Sequence, residues 1–138
     1  MELKEYITRI KSLNETKQSV AEEERLLSSP IVTDLSMVET VFQYCLDAYF
    51  ELHPNNKLRH SSRRVLFVMM FIFSPKTLAG AKIAVGVRDK LAALYHAQPQ
   101  NISYYVRNLM FFYNVYMDFQ SDVDYIFAEV YKKLREYQ

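Results

Sequence analysis

The sequence predicts an all-α protein, a multi-helix bundle that forms one compact domain. Only two glycines and four prolines interrupt its 138 residues. Between them, apolar residues recur every three or four positions, as in helices, and not at alternate positions, as in strands. Half of the residues are apolar and 24% are charged, a composition typical of chains that bury a core. A chain of this length is expected to form a single domain.

The first predicted helix covers residues 2–27 and is long and amphipathic. Its apolar seam follows alternating spacings of three and four, and two seam positions hold Lys17 and Glu24 instead. Such a helix either packs on its own domain or pairs with a second copy of itself, and the sequence leaves both alternatives open. The apolar seam residues are Leu3, Tyr6, Ile10, Leu13, Val20 and Leu27.

The next two helices are predicted over residues 34–52 and 58–73. Ser36, followed three positions later by Glu39, has the pattern of a capping box at the start of the second helix. The third helix is basic where it begins and wholly apolar over Val65–Phe73. Because a membrane-spanning helix needs about 20 residues, we expect this short apolar stretch to lie in the core.

Three further helices complete the prediction. The fourth runs from Val87 to Tyr95 and the fifth from Pro99 to about Phe119. The last helix has Ser121 as its N-cap and continues to the C-terminus, since serine is a preferred capping residue. Residues 76–86, which hold both glycines, receive no assignment.

Charge divides the chain into three parts. Residues 1–53 carry five basic and ten acidic residues, a net charge of −5, whereas residues 54–115 carry nine basic residues and one acidic residue, a net charge of +8. The remainder has a net charge of −2. We therefore expect an acidic helical pair over 1–53 that could mediate dimerisation, a basic unit over 54–119, and a C-terminal packing helix over 120–138.

The stretch LAALYHAQPQNISYYVRNL, from Leu91 to Leu109, has the spacing of two short helices joined by a tight turn. Leu91 and Ala92 supply the apolar and small residues where two such helices cross, and residues 97–99 supply the turn. Proline suits the first position of a helix, where its missing N–H has no partner. The expected inward face of the second helix consists of Ile102, Tyr105, Val106 and Leu109.

These residues resemble the helix-turn-helix superfamily of bacterial and phage DNA-binding proteins. The superfamily pattern can be laid over Leu91–Leu109 without a gap, with the basic helix before it as the supporting first helix. His96 stands where the superfamily usually has glycine, because the turn favours a positive φ. The resemblance implies that the second helix enters the major groove of double-stranded DNA.

The resemblance also assigns candidate contacts. Asn and Gln side chains can pair with adenine and Arg with guanine, whereas Lys, Arg and helix N-termini bind phosphates. The base-contacting candidates are Gln100, Asn101, Ser103, Tyr104, Arg107 and Asn108. The phosphate-contacting candidates are Gln98, Arg59, Arg63, Arg64, Lys76, Lys82, Arg88 and Lys90.

Other chemistry is not indicated by the sequence. It contains no glycine-rich phosphate loop, and neither its three histidines nor the single Cys45, expected to be buried, has the spacing of a metal motif. We therefore expect a non-enzymatic protein without cofactor or metal. The charged N-terminus lacks the apolar segment of a signal peptide, which predicts a cytoplasmic protein. Transcriptional regulation, replication initiation and DNA packaging remain alternatives, as does a helical interaction or assembly protein that binds no nucleic acid.

Overall fold

A computed structural model describes residues 2–136, and this part of the chain is all-helical, with no strand. Met1, Tyr137 and Gln138 lie outside the described residues, including the end of the predicted last helix. The α-helices are α1 (Leu3–Leu27), α2 (Val38–Leu52), α3 (Ser62–Phe73), α4 (Val87–Tyr95), α5 (Pro99–Val106), α6 (Leu109–Val115) and α7 (Met117–Glu136). Short 3₁₀ segments cover Leu35–Met37, Leu58–Ser61 and Pro75–Ala79.

The core is a single cluster of buried apolar side chains contributed by α2 to α7. The apolar stretch Val65–Phe73 lies at its centre, as predicted, with every residue buried except Phe71. Cys45 is also buried, with its Sγ 3.9 Å from Sδ of Met69, and burial raises the pKa of its thiol. Among the described helices, none is both long and apolar enough to cross a membrane.

The start of α2 differs from the prediction. Ser36 and Glu39 do not form a capping box; the Asp34 carboxylate instead accepts hydrogen bonds from the backbone N–H of Ser36 (2.9 Å) and from its hydroxyl (2.7 Å). Asp34 therefore caps a 3₁₀ turn, and the α-helix begins at Val38. An aspartate two residues before a serine competes for the same backbone donors.

The predicted fifth helix is broken into two helices, and the last one begins earlier than predicted. α5 ends at Val106, α6 covers Leu109–Val115, and Tyr116 has an extended backbone before α7 begins at Met117 and not at Ser121. The intervening sequence, MFFYNVY, consists mostly of aromatic and β-branched residues with low helix propensity. The breaks let α5 pack on α4 while α7 packs on α2 and α3.

The first helix behaves differently from the rest. None of the 25 residues of α1 is buried. Of the two alternatives, packing of the seam on its own domain is therefore not observed. Its described link to the core is at its C-terminal end, where Glu24 lies 3.8 Å from the amine of Lys76.

Candidate nucleic-acid interface

The turn between α4 and α5 is closed by backbone geometry at His96. This residue ends α4 with φ 52° and ψ 42°, the left-handed conformation predicted for it. Its neighbour Ala97 donates its N–H to the carbonyl of Ala92 (2.9 Å), a hydrogen bond that satisfies a free carbonyl at the helix end. Gln98 and Pro99 then start α5.

The inward residues of the two helices are largely those predicted. Leu91 and Ala92 of α4 and Ile102 and Val106 of α5 are buried, and so is Leu109 at the start of α6. Tyr105 is an exception, because 49% of its surface is exposed. It lies at the edge of the buried face, where its ring meets that of Tyr104 edge-on at 6.0 Å.

The outward face of α5 forms a ridge. Gln98, Gln100, Asn101 and Tyr104 are exposed and Ser103 is half-buried. Arg107 and Asn108 are exposed as well, but they lie in the break after the last residue of α5. At 1.5 Å per residue, the eight residues of α5 make a helix about 12 Å long.

A groove lies along one side of this ridge, and we call it the His53 groove. Its volume is about 950 Å³, and its lining includes Asn101 and Tyr105 from α5. The opposite wall carries exposed Arg59 and Arg63. The guanidinium of Arg63 stacks 4.8 Å from the centre of the Phe112 ring. Arg59 and Arg63 place positive charge beside the polar residues of α5, although the lining of this groove also includes the acidic residues Asp118 and Asp122.

The three histidines, which are distant in sequence, also line the His53 groove. Sequence spacing could not predict this, because the chain turn at residues 53–61 brings His53 and His60 towards His96 only in three dimensions. No three metal-ligating side chains of residues 2–136 are close enough together to hold a metal ion. The histidines therefore add polar imidazole groups to the groove wall.

A second groove, the Lys82 groove, lies along the other side of the ridge. It has a volume of about 840 Å³ and includes Ser103 and Arg107. Lys82 and Arg88 add two more cations, whereas Asp89 is the one acidic residue of its described lining. α5 thus lies between two grooves that are each bordered by basic side chains.

Arg64, a predicted phosphate contact, also lines the His53 groove, but its charge is already paired. Arg64 is 22% exposed, and its Nε donates to the Asp122 carboxylate at 2.6 Å. The same Asp122 oxygen lies 2.9 Å from Nε2 of His53, and Asp118 lies 3.6 Å from Nη2 of Arg64. We therefore assign Arg64 to an ion-pair network that joins α3 to α7.

Lys76 pairs with Glu24 at the end of α1, in neither groove. Lys90 is exposed and also lines neither groove. The phosphate-contacting candidates beside α5 are therefore Arg59, Arg63, Lys82 and Arg88. Their guanidinium and amine groups form no ion pair with any acidic side chain among residues 2–136.

Comparison with known proteins adds no relative to this picture. No protein-family model matches the chain, and no curated protein or solved structure is significantly similar to it.

Proposed function

We propose that this chain is a non-enzymatic, intracellular DNA-binding protein that uses α4, the turn at His96 and α5 as a helix-turn-helix. The observation that carries the proposal is the polar ridge of α5 between two grooves whose linings each include basic side chains that form no ion pair among the described residues. A major groove about 12 Å wide admits one α-helix, and the ridge presents amide, hydroxyl and guanidinium groups to it. Promoter regulation, replication initiation and packaging of bacterial or phage DNA would all use this surface.

Each part of the surface has its own role in the proposal. The base-contacting residues are those on or beside the ridge, Gln100, Asn101, Ser103, Tyr104, Arg107 and Asn108. The phosphates on either side of the major groove are bound by Arg59 and Arg63 along one groove and by Lys82 and Arg88 along the other, with Gln98 and the N-terminal amides of α5 at a further phosphate. Arg64, Lys76 and Lys90 are left out of the set.

The proposal is tested by titrating the protein into a labelled random-sequence duplex and measuring fluorescence anisotropy at several salt concentrations. Because phosphate binding releases counterions, the affinity should fall by about 10³-fold or more between about 50 and 200 mM salt if six or more phosphates are contacted. Replacing Lys82 and Arg88 together by alanine should weaken binding and reduce the salt dependence by about two phosphate contacts.

The matched control removes the same charge from α7, by Lys132→Ala with Arg135→Ala. Both residues are exposed and border neither groove, so the control should bind as the unaltered chain does. Absence of binding at low salt, or an affinity that does not depend on salt, would contradict the proposal.

A second candidate function, a helical assembly protein, is favoured by a different observation. α1 exposes its apolar seam to solvent along its length, and exposed apolar surface of this extent marks an interaction site. Self-association through α1 is compatible with DNA binding, since helix-turn-helix proteins commonly bind paired half-sites as dimers. Self-association through α1 would remain the proposed function if the duplex titration showed no binding.

A further inference from the structure

α1 and the surface next to it form one continuous apolar region. The seam of α1 is exposed from Leu3 to Leu27, and Ile10, for example, is 65% exposed. Beside the C-terminal half of α1 lies an apolar groove of about 800 Å³ between α1, α3 and α7. Its apolar lining includes Val20, Leu27, Phe71, Leu78 and Phe127. The seam therefore leads directly into a groove that α1 borders but does not fill.

The charges of α1 are unevenly distributed along its length. Residues 2–17 carry four basic and three acidic side chains, whereas residues 18–27 carry three acidic side chains, Glu22 to Glu24, and one basic side chain, Arg25. Arg25 is paired with Glu22 at 2.8 Å. Glu23 is in no ion pair among the described residues, and neither is Arg9 in the opposite half of the helix.

A parallel, in-register pair of α1 helices would bring like charges together. Identical seam positions face each other in a parallel coiled coil, so Lys17 would lie against the partner's Lys17 and Glu24 against the partner's Glu24. At the flanking positions, Arg9 would face the partner's Asn14 and gain no ion pair. Like charges inside a seam are costly because they lose solvation without gaining a partner.

An antiparallel pair of α1 helices avoids both like-charge contacts in the seam. When Leu3 lies opposite the partner's Leu27, all eight seam positions overlap over a helix about 37 Å long. In this register Ile10 meets the partner's Val20, Lys17 meets the partner's Leu13, and Glu24 meets the partner's Tyr6, whose hydroxyl can donate to the carboxylate. A lysine stem can cover a leucine while its amine reaches water.

The flanking positions support the same orientation. In the antiparallel register, Arg9 lies beside the partner's Glu23, and the two-fold symmetry makes this contact twice. Arg9 and Glu23 are 14 residues apart in one helix, about 21 Å along its axis, so they cannot pair within one copy. The partner's Leu3 and Tyr6 would then cover Leu27 and enter the apolar groove beside Phe71 and Phe127.

We propose that α1 binds α1 of a second copy in antiparallel orientation, with the N-terminal end of each helix seated in the apolar groove of the other copy. This inference rests on the second candidate function, self-association through α1, and gives it an orientation, a register and a groove. It does not depend on DNA binding.

A charge-exchange experiment tests the orientation in the full-length protein. The dimer dissociation constant is measured by analytical ultracentrifugation at low salt for Arg9→Glu, Glu23→Arg and the double variant. Each single variant turns two attractive contacts into repulsive ones and should weaken the dimer about tenfold. The double variant restores opposite charges and should recover the original affinity. Lys11→Glu, the matched control on the solvent side of α1, should have little effect.

Cross-linking tests the register independently. Under mild oxidation, Ile10→Cys mixed with Val20→Cys should form a disulfide between the two variants, because these positions face each other at a distance that a disulfide can span. Neither variant should cross-link with itself, and buried Cys45 contributes no background.

Three results would overturn the inference. They are a disulfide formed by Ile10→Cys alone, a double charge variant no tighter than the single ones, and a monomeric mass of the unaltered chain at high concentration. None of these experiments contains DNA, so their failure is separate from failure of the duplex titration. Conversely, the variant that lacks Lys82 and Arg88 should dimerise normally.

Discussion

His96 determines how the chain turns before α5. Its left-handed conformation lets the N–H of Ala97 reach back to α4 and directs the chain into α5. For most residues with a Cβ atom this conformation costs about 1–2 kcal/mol, and glycine avoids that cost. A histidine at this position also places an imidazole in the His53 groove, which a glycine could not do.

We therefore expect a graded response to substitution at His96. His96→Gly should increase the free energy of unfolding by about 0.5–1 kcal/mol, because it removes the backbone strain, and His96→Asn should be nearly neutral. His96→Val should lose about 1–2 kcal/mol, because a β-branched side chain tolerates positive φ poorly. Urea denaturation measures all three. Equal stability of the glycine and valine variants would contradict the assigned conformation.

The ion-pair partners of Arg64 could not be predicted from the sequence. Its composition-based assignment as a phosphate contact was reasonable, because it lies in a segment with a net charge of +8. Its partners, Asp118 and Asp122, are more than 50 positions away in the chain and reach it only because α7 packs on α3. The conformation of His96, by contrast, was predictable because it depends on local turn geometry.

At the scale of secondary-structure elements, the position of α4 depends on Gly86. This residue precedes α4 with φ 86°, and a Cβ atom built there would lie 2.5 Å from Cδ1 of Leu35. Gly80 also has a positive φ, of 100°, but a Cβ atom there would meet no other atom within 4 Å. Substitution of Gly80 therefore tests backbone strain alone. Substitution of Gly86 tests backbone strain together with a close contact between α4 and the segment before α2.

We expect Gly80→Ala to destabilise the protein by about 1 kcal/mol, from backbone strain alone. Gly86→Ala should cost about 0.5–1.5 kcal/mol more, because the Leu35 side chain has to leave its preferred rotamer to accommodate the added methyl group. In a chain that already carries Leu35→Ala, Gly86→Ala should lower the free energy of unfolding by less than it does in the unaltered chain. A double-mutant cycle measured by urea denaturation gives this difference. An additive cycle would contradict the contact.

The helices themselves were predicted unequally well. α4 begins and ends where its apolar spacing and the adjacent turn residues indicated. The prediction of one long fifth helix was wrong because apolar spacing continues through Phe111–Tyr116, and no glycine or proline marks the breaks. The low helix propensity of residues 110–116 accompanies the breaks, and α7 packs on α2 and α3 beyond them, but apolar spacing reports neither. Whether the ridge of α5 contacts bases remains a prediction.

At the scale of the whole molecule, the chain consists of a core built from α2 to α7 and a helix that adds nothing to that core. The segment after α1 is fixed to the core by the backbone, since Ile31 donates its N–H to the carbonyl of Ile72 at 2.9 Å. α1 itself carries five acidic and five basic residues, so the net negative charge of residues 1–53 lies mainly in α2 and the segment before it. The two proposals use surfaces on different parts of the molecule.

Deleting residues 1–28 should therefore separate the two functions. The shortened chain keeps the Ile31 contact and the entire core, so its thermal transition should stay within a few degrees of that of the full chain. Because it lacks the apolar seam, light scattering should give a monomeric mass. Its binding to a short random duplex should retain the salt dependence, since the four phosphate-contacting candidates beside α5 remain. The full chain should bind longer duplexes more tightly through two linked sites. A shortened chain that still dimerises would place the interface on another surface, such as exposed Phe111 of α6 and Tyr116 after it. One that unfolds would show that α1 is part of the core.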